Sequence, residues 1–587
     1  MCGICGLITT GTKPERSAID GMNEALRHRG PDGGGIWIRE NVALGHRRLA
    51  IIDPKGGEQP MGDDDGRLQI TYNGELYNYR LLRLELERLG VRFHSDSDTE
   101  VVLKSYRVWG EECVRKFRGM FAFGIADFRE RKLFLARDHF GIKPLLYCDI
   151  PGLFAFASEL GALKTLPQFP RNPDLRAIDQ FLWLQYIPAP RTAYACAKKL
   201  PPGHTLAVSF DGAVATPRSY VHHIFTPDHF RSGPEWLEAL RAALDASVRA
   251  HCIADVPFGA FLSGGVDSSA VVEAMSRTLT QPVKTFTIAF REPEFDESMH
   301  AQTVAKACGT EHTVEVVEPD ALGILPDLVQ HYGEPFGDSS AVPTYYVSRL
   351  ARASVPMVLS GDGGDEAFAG YNTYRSWMTL AAADRTQERW QSMIEYIGRS
   401  TRMQLWKEDF RDVVADRCEV FDDAFAWTRT FSPANVAQYM DLHTYLPNCI
   451  LTKVDIASMM HGLEVRTPFT DTAIWRLALS IPERWNMRRG SDGQWEGKCL
   501  LKELLKDVLP QSAVKRPKQG FAVPIDRWFA RGGCLHGTLQ ERLLASDTPL
   551  SQFFDPDAVS RILHGERSGP KWLLLVLDEW LRQEEVS

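Results

Sequence analysis

The sequence predicts an α+β layered domain over residues 2–220, followed by an α/β parallel-sheet domain over residues 235–587 whose C-terminal part is helical. The chain has 587 residues, which is too long for a single hydrophobic core. Its first part alternates short apolar runs with Gly, Pro and Asp turns, whereas its second part repeats the order strand, loop, helix. Residues 221–234, rich in His, Pro, Asp and Ser, are typical of a linker between domains.

In the first domain, the apolar runs predict five strands and the periodic segments between them predict helices. The predicted strands are Val42–Ile52, Leu68–Tyr72, Met120–Ala126, Lys132–Arg137 and Leu153–Ala157. The predicted helices are Leu81–Leu89 and Thr99–Trp109.

In the second domain, strands are predicted at Pro257–Leu262, Lys284–Phe290, His312–Val317 and Pro356–Leu359. Helices are expected to begin at Ser268 and Ser298, which is the pattern of a parallel sheet covered by helices. Ligands of such sheets bind at the carboxyl ends of the strands. From Tyr374 onward the pattern is largely helical and ends in an amphipathic segment at Trp572–Leu581, which we interpret as core packing.

The composition excludes several classes of protein. Hydrophobic residues make up 44% of the chain and charged residues 24%, so we expect a folded protein. The net charge of −9 comes without clusters of Lys and Arg, which argues against nucleic acid as a partner. Neither a long apolar stretch nor a signal peptide is present, so we expect no membrane partner and a cytoplasmic location. The 11 cysteines, an odd number without dense spacing, are expected to be reduced.

Cys2 follows the initiator methionine. Removal of Met1 would place its thiol beside a free α-amine, whose ordinary pKa of about 7.7–8.0 suits it to activate the thiol for acyl transfer. Taken alone, Cys2 is better interpreted as a small buried residue. A zinc or redox pair with Cys5 is the weaker interpretation, because no second Cys-x-x-Cys or His pair completes it.

Cys2 is followed by several segments whose order resembles the glutaminase domain of class II glutamine amidotransferases. These segments are Arg27–Asp32, His46–Ile52, Tyr72–Glu75, Ser97–Asp98, Gly119–Phe123 and Arg137–Pro144. The resemblance implies an Ntn-hydrolase-type layered β-sandwich. It also implies that Cys2 is the nucleophile and that the Asn73 side chain and the Gly74 N–H form the oxyanion hole.

The same resemblance implies a glutamine site around Cys2. Arg48 would bind the α-carboxylate of glutamine, while Glu75 and Asp98 would receive its ammonium group. The predicted glutamine-binding residues are Arg48, Leu49, Ala50, Ile51, Ile52, Asn73, Gly74, Glu75 and Asp98.

The loop Leu262–Ser269 follows an apolar strand and opens a helix, where backbone N–H groups and hydroxyls can wrap phosphates. It lacks the lysine of a Walker A loop. It resembles the signature of the ATP pyrophosphatases, a Rossmann-like group that cleaves ATP between its α- and β-phosphates. A second loop, Ser360–Glu366, is expected to face the first, which makes Asp267 and Asp365 candidate Mg²⁺ ligands.

Further residues are assigned through this resemblance. Lys518 would balance charge on the transferring phosphate, and Asp362 would assist adenylation or ammonia attack. The predicted catalytic residues are therefore Cys2, Asn73, Gly74, Asp362 and Lys518. The predicted ATP-binding residues are Leu262, Ser263, Gly264, Gly265, Asp267, Ser268, Ser269, Ile288, Ser360 and Gly361.

With the matching segments Leu451–Asp455 and Leu463–Phe469, the two constellations resemble the glutamine-hydrolysing asparagine synthetases across nearly the whole chain. The resemblance implies glutamine, aspartate and ATP as substrates, Mg²⁺ as cofactor and a homodimer. Ammonia released from glutamine would be channelled to a β-aspartyl-AMP intermediate, giving asparagine, glutamate, AMP and pyrophosphate.

Because the sequence departs from the family pattern at three places, it does not determine which carboxylate is the acceptor. Asp362 stands where the best-known bacterial synthetase has Glu, Ile456 stands where many relatives carry a basic residue, and the region Thr373–Tyr439 is longer than in the compact synthetases. An amidotransferase that acts on another carboxylate by the same mechanism is therefore the alternative. A weakly catalytic protein that binds nucleotide or glutamine is a second alternative, although Cys2 and Asp267 are both present.

Overall fold

The structure is a computed structural model that describes residues 2–318, 320–415, 417–515, 520, 523–530, 532–533, 535–545 and 547–585. The strands of the first 220 residues are β1 (Gly3–Thr9), β2 (Gly33–Arg39), β3 (Val42–Arg48), β4 (Met61–Gly62), β5 (Leu68–Leu76), β6 (Gly119–Asp127), β7 (Lys132–Arg137), β8 (Leu146–Ile150), β9 (Leu153–Ala157), β10 (Ala197–Lys199), β11 (His204–Ser209) and β12 (Arg218–Ser219). The helices there are α1 (Arg16–Ala25), α2 (Tyr79–Arg88), α3 (Asp98–Trp109), α4 (Leu160–Leu163) and α5 (Leu175–Leu184).

These elements form two six-stranded antiparallel sheets, with strand orders β10-β8-β9-β1-β3-β2 and β12-β11-β7-β6-β5-β4. In the first sheet Cys5 of β1 lies opposite Gly45 of β3. The inner faces of both sheets share a buried cluster that includes Ile4, Leu44 and Leu135. Helix α1 packs on the first sheet and helices α2 and α3 pack on the second. The layers confirm the predicted α+β sandwich.

The first domain differs from the prediction at β3, which ends at Arg48 instead of Ile52. The chain leaves the sheet there because the Arg48 guanidinium donates hydrogen bonds to the backbone carbonyl oxygens of Ile52, Asp53 and Pro54. Strand β2 was not predicted, because its three consecutive glycines give it a low strand propensity.

The second part of the chain is described by the following elements. Its strands are β13 (Phe258–Phe261), β14 (Lys284–Phe290), β15 (Glu311–Val317), β16 (Met357–Leu359), β17 (Glu464–Arg466), β18 (Arg488–Arg489) and β19 (Trp495–Glu496). Its helices are α6 (Gly233–His251), α7 (Val266–Thr278), α8 (Ser298–Cys308), α9 (Ala321–Tyr332), α10 (Ala341–Arg352), α11 (Gly364–Phe368), α12 (Asn372–Thr379), α13 (Gln387–Ile394), α14 (Arg399–Leu405), α15 (Glu419–Ala426), α16 (Pro433–His443), α17 (Leu451–Met459), α18 (Thr472–Ala478), α19 (Glu483–Asn486), α20 (Cys499–Leu505), α21 (Gln511–Val514), α22 (Ile525–Phe529), α23 (His536–Leu543), α24 (Pro556–His564) and α25 (Ser568–Glu585).

A five-stranded parallel sheet of order β15-β14-β13-β16-β17 organises this part, as the sequence predicts. The chain after Tyr374 is largely helical, as predicted, and strand β17 is a short addition to it that was not predicted. It has three residues, two of them charged, and therefore gives no periodic strand signal. Its register places Arg466 opposite Leu359 of β16, next to the second glycine-rich loop.

The long region Thr373–Tyr439 packs against helix α5 of the first domain. The buried Arg402 of α14 pairs with the buried Asp179 of α5, and the Trp406 indole Nε1 donates to Asp179 Oδ1 at 3.0 Å. The predicted amphipathic segment lies in helix α25, whose apolar side chains are buried against the core. Among the helices of the described ranges, none has the length and apolar character that crossing a membrane requires.

Candidate active sites

The predicted thiol site forms at the edge where β1, β3 and β5 meet. Cys2 is 8% exposed, and its backbone N–H donates to Asn73 Oδ1 at 2.9 Å. Burial raises the pKa of the Cys2 thiol above its ordinary value, so the thiol is neutral until a base removes its proton. Asn73 is fully buried, and its Nδ2 has no hydrogen-bond partner in the described part of the chain.

Glu75 and Asp98 lie close together behind Asn73. Glu75 Oε1 is 3.2 Å from Arg466 Nη2, while Glu75 Oε2 is buried and lacks a partner among the described residues. Asp98 Oδ2 accepts hydrogen bonds from the Tyr72 hydroxyl and the Leu76 N–H, both at 2.9 Å. Burial raises the pKa of Asp98 to about 6, although these two hydrogen bonds act to lower it. An orphaned donor on Asn73 and an orphaned acceptor on Glu75 indicate a polar ligand.

Arg48 ends β3 and is partly exposed. Its guanidinium binds the carbonyl oxygens of Asp53 at 2.6 Å and Pro54 at 3.0 Å, so no carboxylate side chain neutralises it through these bonds. Gly57 lies so close that an added Cβ would meet Arg48 Nη2 at 2.5 Å and Ser97 Oγ at 3.3 Å. The cation is therefore held beside the amino-terminal end of α3. The other predicted glutamine-binding residues follow β3 (Leu49, Ala50, Ile51 and Ile52) or lie in β5 (Gly74).

Buried ion pairs connect the thiol site to the second domain. Arg29 is 0% exposed, and its Nε donates to the Cys2 carbonyl oxygen at 3.1 Å. Its Nη1 lies 2.7 Å from Glu159 Oε1 and its Nη2 lies 2.8 Å from Asp455 Oδ2 of helix α17. Lys143 Nζ is 3.3 Å from Asp455 Oδ1. One carboxylate of the second domain therefore neutralises two cations of the first.

We expect Asp455→Asn to lower the free energy of unfolding by about 3–5 kcal/mol, because it leaves the buried guanidinium of Arg29 without one of its carboxylates. Denaturant unfolding followed by tryptophan fluorescence measures the loss. Asp20→Asn is the matched control, because the pair of Asp20 with Arg16 is exposed and worth about 0–1 kcal/mol. Equal stability of the two variants would contradict the expectation.

The predicted nucleotide site is a cavity of about 460 Å³ at the carboxyl ends of the parallel strands. All predicted ATP-binding residues except Gly264 and Ser269 line it. Asp362 and Asp365 of the second loop line it as well, so the two loops face each other as the sequence predicts.

Two glycines allow close backbone approaches around the loops, one to helix α8 and one between the loops. Gly264 has φ +73°, and a Cβ there would meet the backbone of Ala301 at 2.6 Å. A Cβ on Gly361 would meet the Ser268 backbone nitrogen at 2.6 Å. A side chain at Gly361 would separate the two loops, and one at Gly264 would push the first loop away from helix α8, which explains why both positions are glycine.

Asp267 and Asp365 share one cation. Lys498 Nζ pairs with Asp267 and lies 2.6 Å from Asp365 Oδ1. Although burial acts to lower it, the pKa of Lys498 is raised by these two carboxylates, so the ammonium stays charged. Two convergent carboxylates beside these glycine-rich loops suit Mg²⁺, which takes one or two protein carboxylates plus phosphate oxygens.

Asp362 lies beside a second cation of the cavity. Its carboxylate accepts a hydrogen bond from the Ser360 hydroxyl. Burial acts to lower the pKa of Lys453, but Asp338 and Asp362 raise it above its ordinary value. Lys453 Nζ is 3.0 Å from Ser340 Oγ and 3.7 Å from Asp338 Oδ2.

Several cavity residues were not predicted as site residues. Lys498, Lys502, Arg375 and Lys453 all line the cavity, where these basic groups can face phosphates alongside the carboxylates of the same cavity. The Arg375 Nε is buried without a hydrogen-bond partner in the described ranges. Single basic residues scattered along helices carry no sequence signal. Lys518, the basic residue that was predicted, lies outside the described residues together with its neighbours at 516–517 and 519.

Comparison with known proteins finds two family models that match the two parts of the chain. The family model for asparagine synthase matches residues 239–582, and the model for a glutamine amidotransferase domain matches residues 1–221. The chain belongs to the asparagine synthase family, with a glutamine amidotransferase domain at its amino-terminal end.

Named relatives match over most of their length. Glutamine-hydrolysing asparagine synthetase 1 of Bacillus subtilis (strain 168) is 34% identical, with 99% of this chain and 96% of that protein covered. Glutamine-hydrolysing asparagine synthetase B of Escherichia coli (strain K12) is 29% identical, with 89% and 82% covered. Amidase chry2 of Gibberella zeae is 27% identical, with 96% and 95% covered.

Proposed function

We propose that this protein is a glutamine-hydrolysing asparagine synthetase with a glutaminase domain at residues 2–220, a linker at 221–234 and a synthetase domain at 235–587. One observation carries the proposal: helix α17 joins the two sites. Lys453 of this helix lines the nucleotide cavity, and Asp455, one half-turn later, binds the Arg29 that holds the Cys2 carbonyl. Ammonia released at Cys2 would therefore pass α17 on its way to the cavity.

In the glutaminase half, the Cys2 thiolate attacks the carboxamide carbon of glutamine. The α-amine of Cys2, free once Met1 is removed, takes the thiol proton and then gives a proton to the departing ammonia. The hydrogen bond from the Cys2 nitrogen to Asn73 Oδ1 holds that amine and turns Asn73 Nδ2 toward the developing oxyanion. Arg48 binds the carboxylate of glutamine, and Glu75 and Asp98 bind its ammonium group.

In the synthetase half, the aspartate β-carboxylate attacks the α-phosphorus of ATP and pyrophosphate leaves. The loop Ser263–Ser268 wraps the phosphates with N–H groups and hydroxyls at the N-terminus of α7. Leu262, Ile288, Ser360 and Gly361 hold adenine and ribose. Ammonia then attacks the acyl-adenylate and releases AMP, and Asp362 lies where a carboxylate can assist this step.

Asp267 and Asp365 are the residues that would hold Mg²⁺, which would neutralise the charge that develops on the leaving pyrophosphate. Lys498 keeps both carboxylates turned into the cavity. Lys518 would add charge at the transferring phosphate. The family resemblance also supports a cytoplasmic homodimer, which we include in the proposal.

A different carboxylate acceptor is the second candidate function. Asp362 and Ile456 depart from the family pattern, and one full-length relative carries the name of an amidase. Neither observation affects the glutaminase residues or the ATP loops. The two candidate functions therefore differ only in the carboxylate that is adenylated.

The test measures the nucleotide product and the acceptor together. With ATP, Mg²⁺ and glutamine, we expect AMP and pyrophosphate because the first loop lacks a Walker lysine, and we expect aspartate to stimulate AMP release. Chromatography of nucleotides with and without aspartate provides the measurement. ADP as the main product would refute the ATP assignment. AMP release that is unaffected by aspartate, in a preparation with active glutaminase, would favour the other acceptor.

A further inference from the structure

One end of the nucleotide cavity is lined by residues that belong to neither glycine-rich loop. Ser340 and Lys453 are joined there by a 3.0 Å hydrogen bond, and Asp338 lies 3.7 Å from Lys453. Tyr396 and Tyr445 line the same end, and both lie close enough to Asp338 to interact electrostatically with its carboxylate. This group of five residues is called the acceptor end below.

The acceptor end offers one cation and one anion to a ligand. Lys453 is protonated and close to Asp362, and Asp338 supplies a carboxylate on its other side. An amino acid carries the opposite pair of charges, a carboxylate for Lys453 and an ammonium for Asp338. This charge arrangement does not limit the length of the acceptor, because it binds the groups that all amino acids share.

The contacts of Tyr396 suit it to limit the length of the acceptor that the cavity can bind. Its backbone N–H donates to the Trp183 carbonyl oxygen at 2.8 Å, and its side chain lies beside that of Gln185. Both partners belong to the C-terminal end of α5 in the first domain. Tyr396 itself lies between α13 and α14, inside the long region Thr373–Tyr439.

The surrounding structure keeps the ring in place. Six residues after Tyr396, Arg402 forms a buried ion pair with Asp179 of α5, and Trp406 donates to the same carboxylate. An added Cβ on Gly569 of α25 would meet the Tyr396 ring at 3.2 Å, so α25 packs on its other side. A residue held at its backbone and packed against its ring forms a rigid wall.

We propose that Tyr396 closes the acceptor end and selects the acceptor by its length, which makes it a specificity-determining residue of the synthetase reaction. The proposal rests on the proposed function, because it assumes that the acceptor is a carboxylate adenylated in this cavity. A rigid wall rejects an acceptor with one more methylene by about 10–200-fold. The long region thus has a function: it carries Tyr396 to the cavity and anchors it on the first domain.

The test uses the full-length protein with ammonia as nitrogen donor, so that glutaminase activity does not affect the result. AMP release is measured against aspartate and against glutamate, which is longer by one methylene. We expect Tyr396→Ala to lower the ratio of kcat/KM for aspartate over glutamate at least about tenfold, with the KM for ATP within about twofold. Tyr396→Phe keeps the ring and should retain most of the discrimination.

Tyr439→Ala is the matched control, because Tyr439 is a buried tyrosine of the same region that packs on Phe431 and His443 and does not line the cavity. It should leave the ratio unchanged. Glutaminase activity of each variant reports folding. If Tyr396→Ala is folded and its ratio equals that of the wild type, the proposal is wrong.

If the proposed function is wrong, the experiment gives a result that differs from a failure of the Tyr396 proposal. In that case the wild-type protein shows no aspartate-stimulated AMP release, and the acceptor is found by screening short carboxylic acids. The same ratio is then measured for that acceptor and its next longer homologue. Tyr396→Ala must lower this ratio too, and an unchanged ratio overturns the proposal for Tyr396.

Discussion

Replacing Cys2 with alanine should lower glutamine-dependent synthesis by at least about 10³-fold, because no other nucleophile can form the acyl-enzyme. Synthesis from added ammonia should stay within about twofold of the wild-type rate. The reason is spatial: the thiol lies in the sandwich beside Asn73, whereas the proposed adenylation site is the cavity of the second domain. Coupled assays of glutamate release and of AMP release measure the two activities separately.

Cys2→Ser provides the matched control for packing, since it keeps a small polar side chain at a buried position. It should lose glutamine hydrolysis and retain ammonia-dependent synthesis like the alanine variant. Intact mass should also show a mature protein that begins at Cys2, because a retained Met1 would tie up the required amine. Equal loss of both activities in Cys2→Ala would contradict the separation of the two sites.

The sequence predicted the secondary structure well where local patterns determine it. Strand β7 and helix α8 begin at the predicted residues, because alternating apolar positions and flanking turns are visible in a short window. The glycine-rich loops were also predictable, because their glycines permit backbone approaches that other residues cannot make.

The contacts between the domains could not be predicted in the same way. Arg29 and Asp455 are 426 residues apart, and nothing in either local sequence indicates that they meet. The same holds for Glu75, which was predicted to bind glutamine but whose Oε1 also lies near Arg466 of β17. Long-range ion pairs depend on tertiary packing, which a pattern of a few residues does not encode.

The residues of the acceptor end could not be predicted from local sequence patterns either. Tyr396 and Arg375 lie in the region that was predicted only to be longer than in compact relatives. The position of Tyr396 follows from the packing of α14 against α5, which includes the buried pair of Arg402 and Asp179. Arg375 is placed by helix α12, which packs against α16. The role of Lys518 stays a prediction from the resemblance.

Replacing Asp267 with asparagine should lower ATP-dependent synthesis by about 10²–10³-fold and leave glutamine hydrolysis unchanged. A metal's stabilisation of the transition state is worth several kcal/mol, and each ~1.4 kcal/mol is tenfold in rate. The asparagine keeps an oxygen for Lys498, so the loop geometry is retained while one of the two carboxylates beside that ammonium loses its charge. Initial rates of AMP release over a range of Mg²⁺ concentrations measure the effect.

The matched control is Asp245→Asn, since the Asp245 carboxylate pairs with Arg277 and does not line the cavity. This variant should keep both activities. In Asp267→Asn the Mg²⁺ concentration for half-maximal synthesis should rise, because the remaining carboxylate, Asp365, is still shared with Lys498. Normal synthesis in Asp267→Asn would show that phosphate oxygens and Asp365 suffice to hold the metal. A parallel loss of glutaminase activity would instead show that Asp267 maintains the structure shared by the two domains.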